Sequence, residues 1–450
     1  MKKISIIAAL LLVGCNPKLQ QPNIVAPQEY LYRNAADSTI LSCDNWWEIF
    51  RDTTLNRLIS IALSQNNDLK AASSRIEEAR ANRRVVRASF QPSFDFGRSA
   101  EVSGSNKGVA QQYIIEPTAS WEIPLFGSLK ATTISANADI EYAMWQHKGI
   151  ELSLAAEVAT TYFTLLQYQR DLNIAKESSR LRGQTAVLVD SLFVRGMASG
   201  ANREQAYSLL YTAEADIPLY ERAVAQSRLS LNMLLNQQPS DMEYITADNT
   251  LSISYIPIGI PAGVPSDLLY RRPDIMSNYA QLVSAAASAK LARAERFPSL
   301  NLTGDGGVVS KDISNLFASG SWVWELLLSL SQPIYQFGAL KSRERVAVEQ
   351  YNQSLINYRQ SFLEALVEVE KSLVAISTYR EQLKRYRALV ASNDTINRLT
   401  NSLYLNGLSA YLDVIDSERT LYNSQMEYSN LIADQYINYI NLCKALGGGW

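Results

Sequence analysis

The chain has 450 residues, with 42 Lys and Arg against 44 Asp and Glu and a formal net charge of −2, so it carries no electrostatic footprint for nucleic acid. Its one histidine, His147, excludes a serine or cysteine triad built on any other imidazole, and the sequence contains no C-x-x-C, P-loop or dinucleotide glycine pattern. Alanine, leucine, serine, glutamine and tyrosine are plentiful while glycine and proline are sparse, a composition that favours helix and calls for no cofactor, no metal and no enzyme.

Residues 1–14 read as a secretory signal peptide: Lys2 and Lys3 form the positive region, and Ile4 to Val13 form an apolar run too short to cross a bilayer, which takes about 20 residues. The run ends in Leu12-Val13-Gly14-Cys15, which matches the bacterial lipobox and makes Cys15 the expected lipidation site. Asn16 follows it, and similarity to bacterial lipoproteins then favours the outer membrane. Each acyl CH₂ buried in lipid contributes about 0.8 kcal/mol, so several chains on one cysteine anchor a protein without spanning the leaflet. Residues 15–45, rich in Pro, Gln, Asn and Ala, read as the lipid anchor and an extended linker. Cys43 and Cys443 also remain; a disulfide between them and two free buried thiols are both open.

From Thr53 to Ala88 the pattern is helical, with Leu55, Leu58, Ile59 and Leu63 on one face and Pro92 as the stop. The period then changes to two. Tyr113, Ile115, Pro117, Ala119, Trp121, Ile123 and Leu125 alternate with a mainly polar set, and Ser93 to Val102 supplies a partner strand carrying Phe94 and Phe96. A very long helical stretch follows from Ser128, with no proline before Arg195, and Leu154, Val158, Thr161, Leu165, Tyr168, Leu172, Ala175, Ser179 and Arg182 step by four and three in a heptad-like seam. A turn at Gly196 leads into a return helix.

This order is then written again. Phe126 to Leu235 recurs as Phe337 to Leu446 at a constant offset of 211 residues, pairing Tyr168 with Tyr379 and Gly196 with Gly407. Upstream the offset is 206, pairing Asp68 with Asp274 and Pro92 with Pro298, so the second copy is longer between its proline and its Phe-Gly; an exposed loop is expected there. In that copy Trp322, Trp324, Leu326, Leu328 and Leu330 alternate with Val323, Glu325, Leu327, Ser329 and Ser331. The expected organisation is a first repeat over 46–255 (helix, β-hairpin 93–125, helical hairpin 128–236) and a second over 256–450 (helix, β-hairpin 299–336, helical hairpin 339–446).

Each copy offers two strands of about 10 residues, the length of a tilted transmembrane strand. A soluble half-buried hairpin would show the same alternation; the signal, the lipobox and the strand aromatics favour the membrane. Two strands per copy cannot close a barrel, for which about eight strands is the practical minimum, and open edges are not tolerated in lipid. Several chains must therefore contribute to one barrel.

Ile260-Pro261-Ala262-Gly263-Val264-Pro265-Ser266-Asp267-Leu268-Leu269, then Arg271-Arg272-Pro273-Asp274-Ile275, resembles the signature of TolC-like outer-membrane efflux proteins, in particular the OprM/NodT-like lipoprotein branch serving RND-type pumps. In physical terms, Ser266-Asp267 is suited to cap the helix that starts there, and Pro273 is tolerable in a first turn. The resemblance covers essentially the whole mature chain. It implies a mainly α fold with a β-barrel membrane part: a homotrimer whose twelve-stranded barrel, four strands per chain, continues into a periplasmic coiled-coil tunnel. It also implies a periplasmic adaptor and an inner-membrane RND pump as partners, and passive exit of small toxic compounds. Tyr404, Asp413 and Asp416 match the family's gate-forming segment, with the aspartates expected as two rings of carboxylates around the pore; the first copy has Asn202 and Gln205 instead. Ser409 stands where some relatives carry an arginine that ties the gate shut. Gly196 and Gly407 look like adaptor-docking tips. An exit duct of a type I protein secretion system and a structural periplasmic coiled-coil lipoprotein are the alternatives.

Overall fold

The computed structural model describes residues 19–32, 45–105, 108–239 and 265–448. The signal peptide, Cys15, Cys43 and the Ile260–Val264 part of the motif lie outside them.

The chain forms α1 (Thr53–Gln65), α2 (Asn67–Ala88), β1 (Ser93–Ser105), β2 (Gly108–Ile123), α3 (Ser128–Val194) and α4 (Gly200–Leu234). It continues with α5 (Leu268–Arg271), α6 (Pro273–Ala294), β3 (Ser299–Ser310), β4 (Trp322–Ser331), α7 (Ala339–Leu405) and α8 (Tyr411–Ala445). Both ends of α7 and α8 stand 211 residues beyond those of α3 and α4, and both ends of α6 stand 206 beyond those of α2.

The periodic stretch from Thr53 to Ala88 is two helices, not one. Asn66 breaks it with an extended ψ of 135°, and its Oδ1 accepts from Asp68 N at 2.8 Å, capping α2. Its Nδ2 donates to Leu234 O at 3.1 Å, so the break is fixed by a distant helix end. Asp52 caps α1 by accepting from Thr54 N and Leu55 N. The motif aspartate differs from expectation: Asp267 ends a 3₁₀ turn from Pro265 in helical conformation, without capping α5. Its carboxylate instead lies 3.7 Å from Arg271.

Two compact units result, and each draws on both copies of the repeat: Ala72–Gln146 with Asp274–Ser361 in one, and His147–Pro273 with Phe362–Trp450 and Ala26–Ala71 in the other. The first holds one four-stranded sheet in the order β1-β2-β3-β4. Every neighbouring pair is antiparallel, including β2 with β3, which joins the two copies through pairs such as Trp121↔Leu302. Residues 311–321 join β3 to β4, whereas β1 ends at Ser105 and β2 starts at Gly108; the second copy is also longer between its last strand and the next helix, 332–338 against 124–127. All ten residues of β4 are exposed. Trp324 keeps 82% of its surface and Phe94, on the opposite edge strand, 81%. Large apolar side chains this bare on unpaired edge strands require cover from lipid or from another chain.

In the second unit, Leu55, Leu58 and Ile59 of α1 are fully buried, and Phe50, Phe163 and Tyr436 form an aromatic cluster in which Phe163 and Tyr436 stack at 4.4 Å. Cys443 is buried here and unbridged. Among the described residues no helix is long and apolar enough to cross a membrane.

Candidate functional site

The candidate site is the pair of helical tips, α3–α4 and α7–α8, both in the second unit. Each tip is closed by the same backbone device. Gly196 N donates to Phe193 O and Met197 N to Leu192 O; Gly407 N donates to Tyr404 O and Leu408 N to Leu403 O, all at 2.9 Å. These paired bonds satisfy the last carbonyls of a helix and require a left-handed residue after it. Gly196 and Gly407 supply it, with φ of 74° and 72°.

Beyond the glycine the tips diverge. Ser199 caps α4 by accepting from Asn202 N at 3.1 Å. The second copy has Ala410 at that position, and Asp413 takes over the capping: its Oδ2 accepts from Ala410 N at 3.1 Å and from Ser409 Oγ at 2.7 Å. A carboxylate in the first turn also faces the positive end of the helix dipole. Ser409 is thus a partner of Asp413 within one tip. Asp416, one turn on, accepts from Arg419 at 2.8 Å, both side chains being largely exposed. The Arg419 guanidinium thus offsets the charge of Asp416 within its own tip.

Tyr404 is not bonded to either aspartate; its ring lies 5.3 Å from that of Tyr411. Both pack on a buried cluster of Ala186, Val189, Ala206 and Val414 that joins α3, α4 and α8. In the first tip Arg203 pairs with Asp190 at 2.6 Å and lies over the Phe193 and Tyr207 rings. The matching residues of the second tip are Val414 and Asn401, so this clamp belongs to one copy.

Above the tips, a cleft of about 1320 Å³ lies between faces of α3, α7 and α8, with Arg182, Glu418 and Tyr422 among its lining residues. Burial pushes the Glu418 carboxyl above its ordinary range, against the pull of Arg182 and a hydrogen bond from Thr185. In the sequence Arg182 registers as a seam position and Glu418 gives no signal; an arginine at a heptad core position was the available clue. Among the described residues there is no cluster of three His, Cys, Asp or Glu able to hold a metal ion.

A bare four-stranded edge-to-edge sheet, two long helical hairpins and an internal repeat define a recognisable object. The model of the outer membrane efflux protein family matches residues 58–237 and 264–448. The chain belongs to the outer membrane efflux protein family. It is 31% identical to the toluene efflux pump outer membrane protein TtgI of Pseudomonas putida over all of this chain and 98% of that one. It is 29% identical to the cation efflux system protein CusC of Escherichia coli over all of this chain and 99% of that one. The solved open state of the MtrE outer membrane channel of Neisseria gonorrhoeae superposes with a TM-score of 0.86 at 27% identity, covering 96% of this chain and 98% of that one. Like its relatives, the chain is an efflux channel of the outer membrane. Its sheet is one chain's share of the membrane barrel, and its long helices are those of the periplasmic tunnel.

Proposed function

We propose that the chain works as a lipid-anchored homotrimer, a passive exit duct that takes small toxic compounds from an inner-membrane RND pump through a periplasmic adaptor. Three chains of four strands would close one barrel, which a single sheet cannot do. Cys15 would carry the lipid. The duct would need no catalytic group, because its partners supply the energy and the choice of cargo. The two stretches 46–255 and 256–450 would be copies of one ancestral unit.

The gate is proposed at the α7–α8 tip, with Tyr404, Asp413 and Asp416, and docking of the adaptor at the turns around Gly196 and Gly407. The observation that carries this is the divergence of two otherwise matching tips: Asp413 and Asp416 stand where the first copy has Asn202 and Gln205. An aspartate already committed to a helix cap is held in place, so a three-fold axis would repeat it as a fixed ring. Rings of carboxylates attract cations, and a bound cation or proton relieves their repulsion and favours closure. Replacing Asp413 and Asp416 with alanine is expected to raise single-channel conductance in planar bilayers and to abolish block by divalent cations. Wild-type conductance with wild-type cation block in that variant would refute the gate.

A further inference from the structure

In the unit that bears the sheet, the helices stand in the same order as the strands. Glu78 and Asn82 of α2 line one small cavity with Tyr142 and Gln146 of α3. Ser135 of α3 bonds Ser284 of α6 at 2.9 Å, and Glu344 of α7 pairs with Arg293 of α6 at 3.7 Å. α2 runs into β1 and α7 follows β4, so the two edge strands carry the two end helices, both at one end of the sheet. Where β4 of one copy pairs with β1 of the next, α7 of the first copy comes beside α2 of the second.

Both end helices are basic where they meet the sheet. Arg83, Arg84 and Arg87 lie near the end of α2, Lys341 and Arg343 near the start of α7, and all five are exposed. Residues 79–88 hold no carboxylate, and Glu344 is the one carboxylate in residues 339–348. It is turned to its own chain, where it takes Arg293 and Arg296 and keeps 15% of its side chain exposed. The repeat shows what the first copy lacks: Arg87 matches Arg293, but Thr133 stands where Glu344 would be to receive it. Beyond these cations the edge strands are bare and apolar, with Phe94 and Phe96 on β1 and Leu328 and Leu330 on β4. The register puts all four on one face of the sheet.

We propose that each junction between neighbouring chains seats an anionic phospholipid from the leaflet nearest the helices. Its phosphate lies among Arg84 and Arg87 of one chain and Lys341 and Arg343 of the next, and its acyl chains run along Phe94, Phe96, Leu328 and Leu330. The proposal rests on the homotrimer reading, since neither chain alone holds both halves of the seat. Closing the junction brings like charges together with no carboxylate between them, and they repel. A phosphate placed between them reverses the sign, because guanidinium groups bind it through paired, charge-assisted hydrogen bonds. Basic clusters beside membrane-spanning segments recognise anionic head groups in this way. The apolar face that continues into the membrane barrel favours a lipid over a free anion, which has nothing to lay on it.

The test is thermal dissociation of the full-length protein in detergent, read by native mass spectrometry with phosphatidylglycerol, phosphatidylethanolamine or inorganic phosphate added. Phosphatidylglycerol is expected to raise the dissociation temperature and to add up to three lipids per trimer, one at each junction. Phosphatidylethanolamine and inorganic phosphate are expected to do neither. Lys341→Gln with Arg343→Gln should weaken phosphatidylglycerol binding about 25-fold, at about fivefold per cation. Without lipid, that variant should hold together at least as well as the wild type, because the repulsion is gone. Arg84→Gln with Arg87→Gln should do the same from the other side of the junction, and Arg84→Lys with Arg87→Lys should keep the lipid response. Equal responses to the two phospholipids, or wild-type lipid binding in both glutamine variants, overturn the seat. Stabilisation by inorganic phosphate alone overturns the leaflet as the source of the anion. Should the glutamine variants not fold, wild-type lipid binding that is indifferent to salt overturns the seat instead. A particle of one chain in every condition sinks the homotrimer reading and the seat with it, whereas a trimer without a lipid response sinks the seat alone.

Discussion

Arg272, the second arginine of the R-R-P-D stretch, is 7% exposed and reaches two other elements. Its Nη1 lies 2.7 Å from Glu368 of α7 and 2.9 Å from the carbonyl of Ala445 at the end of α8. The motif that marks the family is thus a structural fastener: a buried guanidinium that caps one long helix and pairs with another. Arg272→Ala should cost about 2 kcal/mol, the order of a hydrogen bond to a charged group, reduced because Glu368 is half exposed; the check is the temperature at which the trimer dissociates in SDS. Asp171 is a second residue that local pattern does not explain. It is 2% exposed in α3, and burial pushes its carboxyl up to about 6 against the pull of Ser429, Arg170 and Gln167. The folded state therefore holds this proton more tightly than the unfolded chain, so Asp171 costs stability above pH 6 and the cost disappears as pH falls towards 4. Asp171→Asn should stabilise the fold by about 3 kcal/mol at pH 7.5, read as a raised thermal midpoint, and by only about 1 kcal/mol at pH 4.5. An unchanged midpoint at pH 7.5 would show that the carboxylate is better solvated than its burial implies.

At the scale of elements, most of the architecture was legible because its signals are local. Alternation from Tyr113 and from Trp322 marked strands, and the four-three stepping that includes Leu154, Val158 and Leu165 marked a seam that the structure buries in α3. The length change read from the offset is shared between the longer β3–β4 connection, 311–321, and the stretch from β4 to α7, 332–338. What stayed illegible depends on partners far along the chain. Asn66 breaks a helix because Leu234 O is there to receive it, and Ser409 became meaningful only once Asp413 was seen to cap α8. The arginine in the seam is a further case, since nothing in the heptad spacing says that Arg182 will lie over the ring of Tyr422. Two glycine substitutions test the elements. Gly407→Ala places a side chain at φ 72° and should weaken the α7–α8 tip by about 1 kcal/mol, read as faster amide exchange confined to residues beside it. Gly307→Ala is harsher, because a Cβ there would stand 2.1 Å from Ile115 O in the neighbouring strand. It should prevent the β2–β3 pairing that unites the two copies and abolish heat-modifiable trimers; wild-type trimers would show that β3 can draw away from β2.

The whole molecule is where repeat and compact unit part company. The sequence repeats along the chain, but each compact unit takes part of both copies, with the sheet in one and both tips in the other. A copy on its own would have half of the sheet and part of each unit. The proposed lipid anchor has its own test: Cys15→Ser should stop incorporation of labelled palmitate, and label still entering that variant would place the lipid elsewhere. Deleting the chain should sensitise the cell to small toxic compounds, measured as minimum inhibitory concentrations. The central claim is that a sheet with four strands and two bare edges becomes a membrane duct only by joining other copies of itself. Native mass spectrometry of the full-length protein released from detergent tests this most directly. Three copies per particle is the result expected, with no folded single chain; a stable monomer that still conducts ions across a bilayer would contradict it.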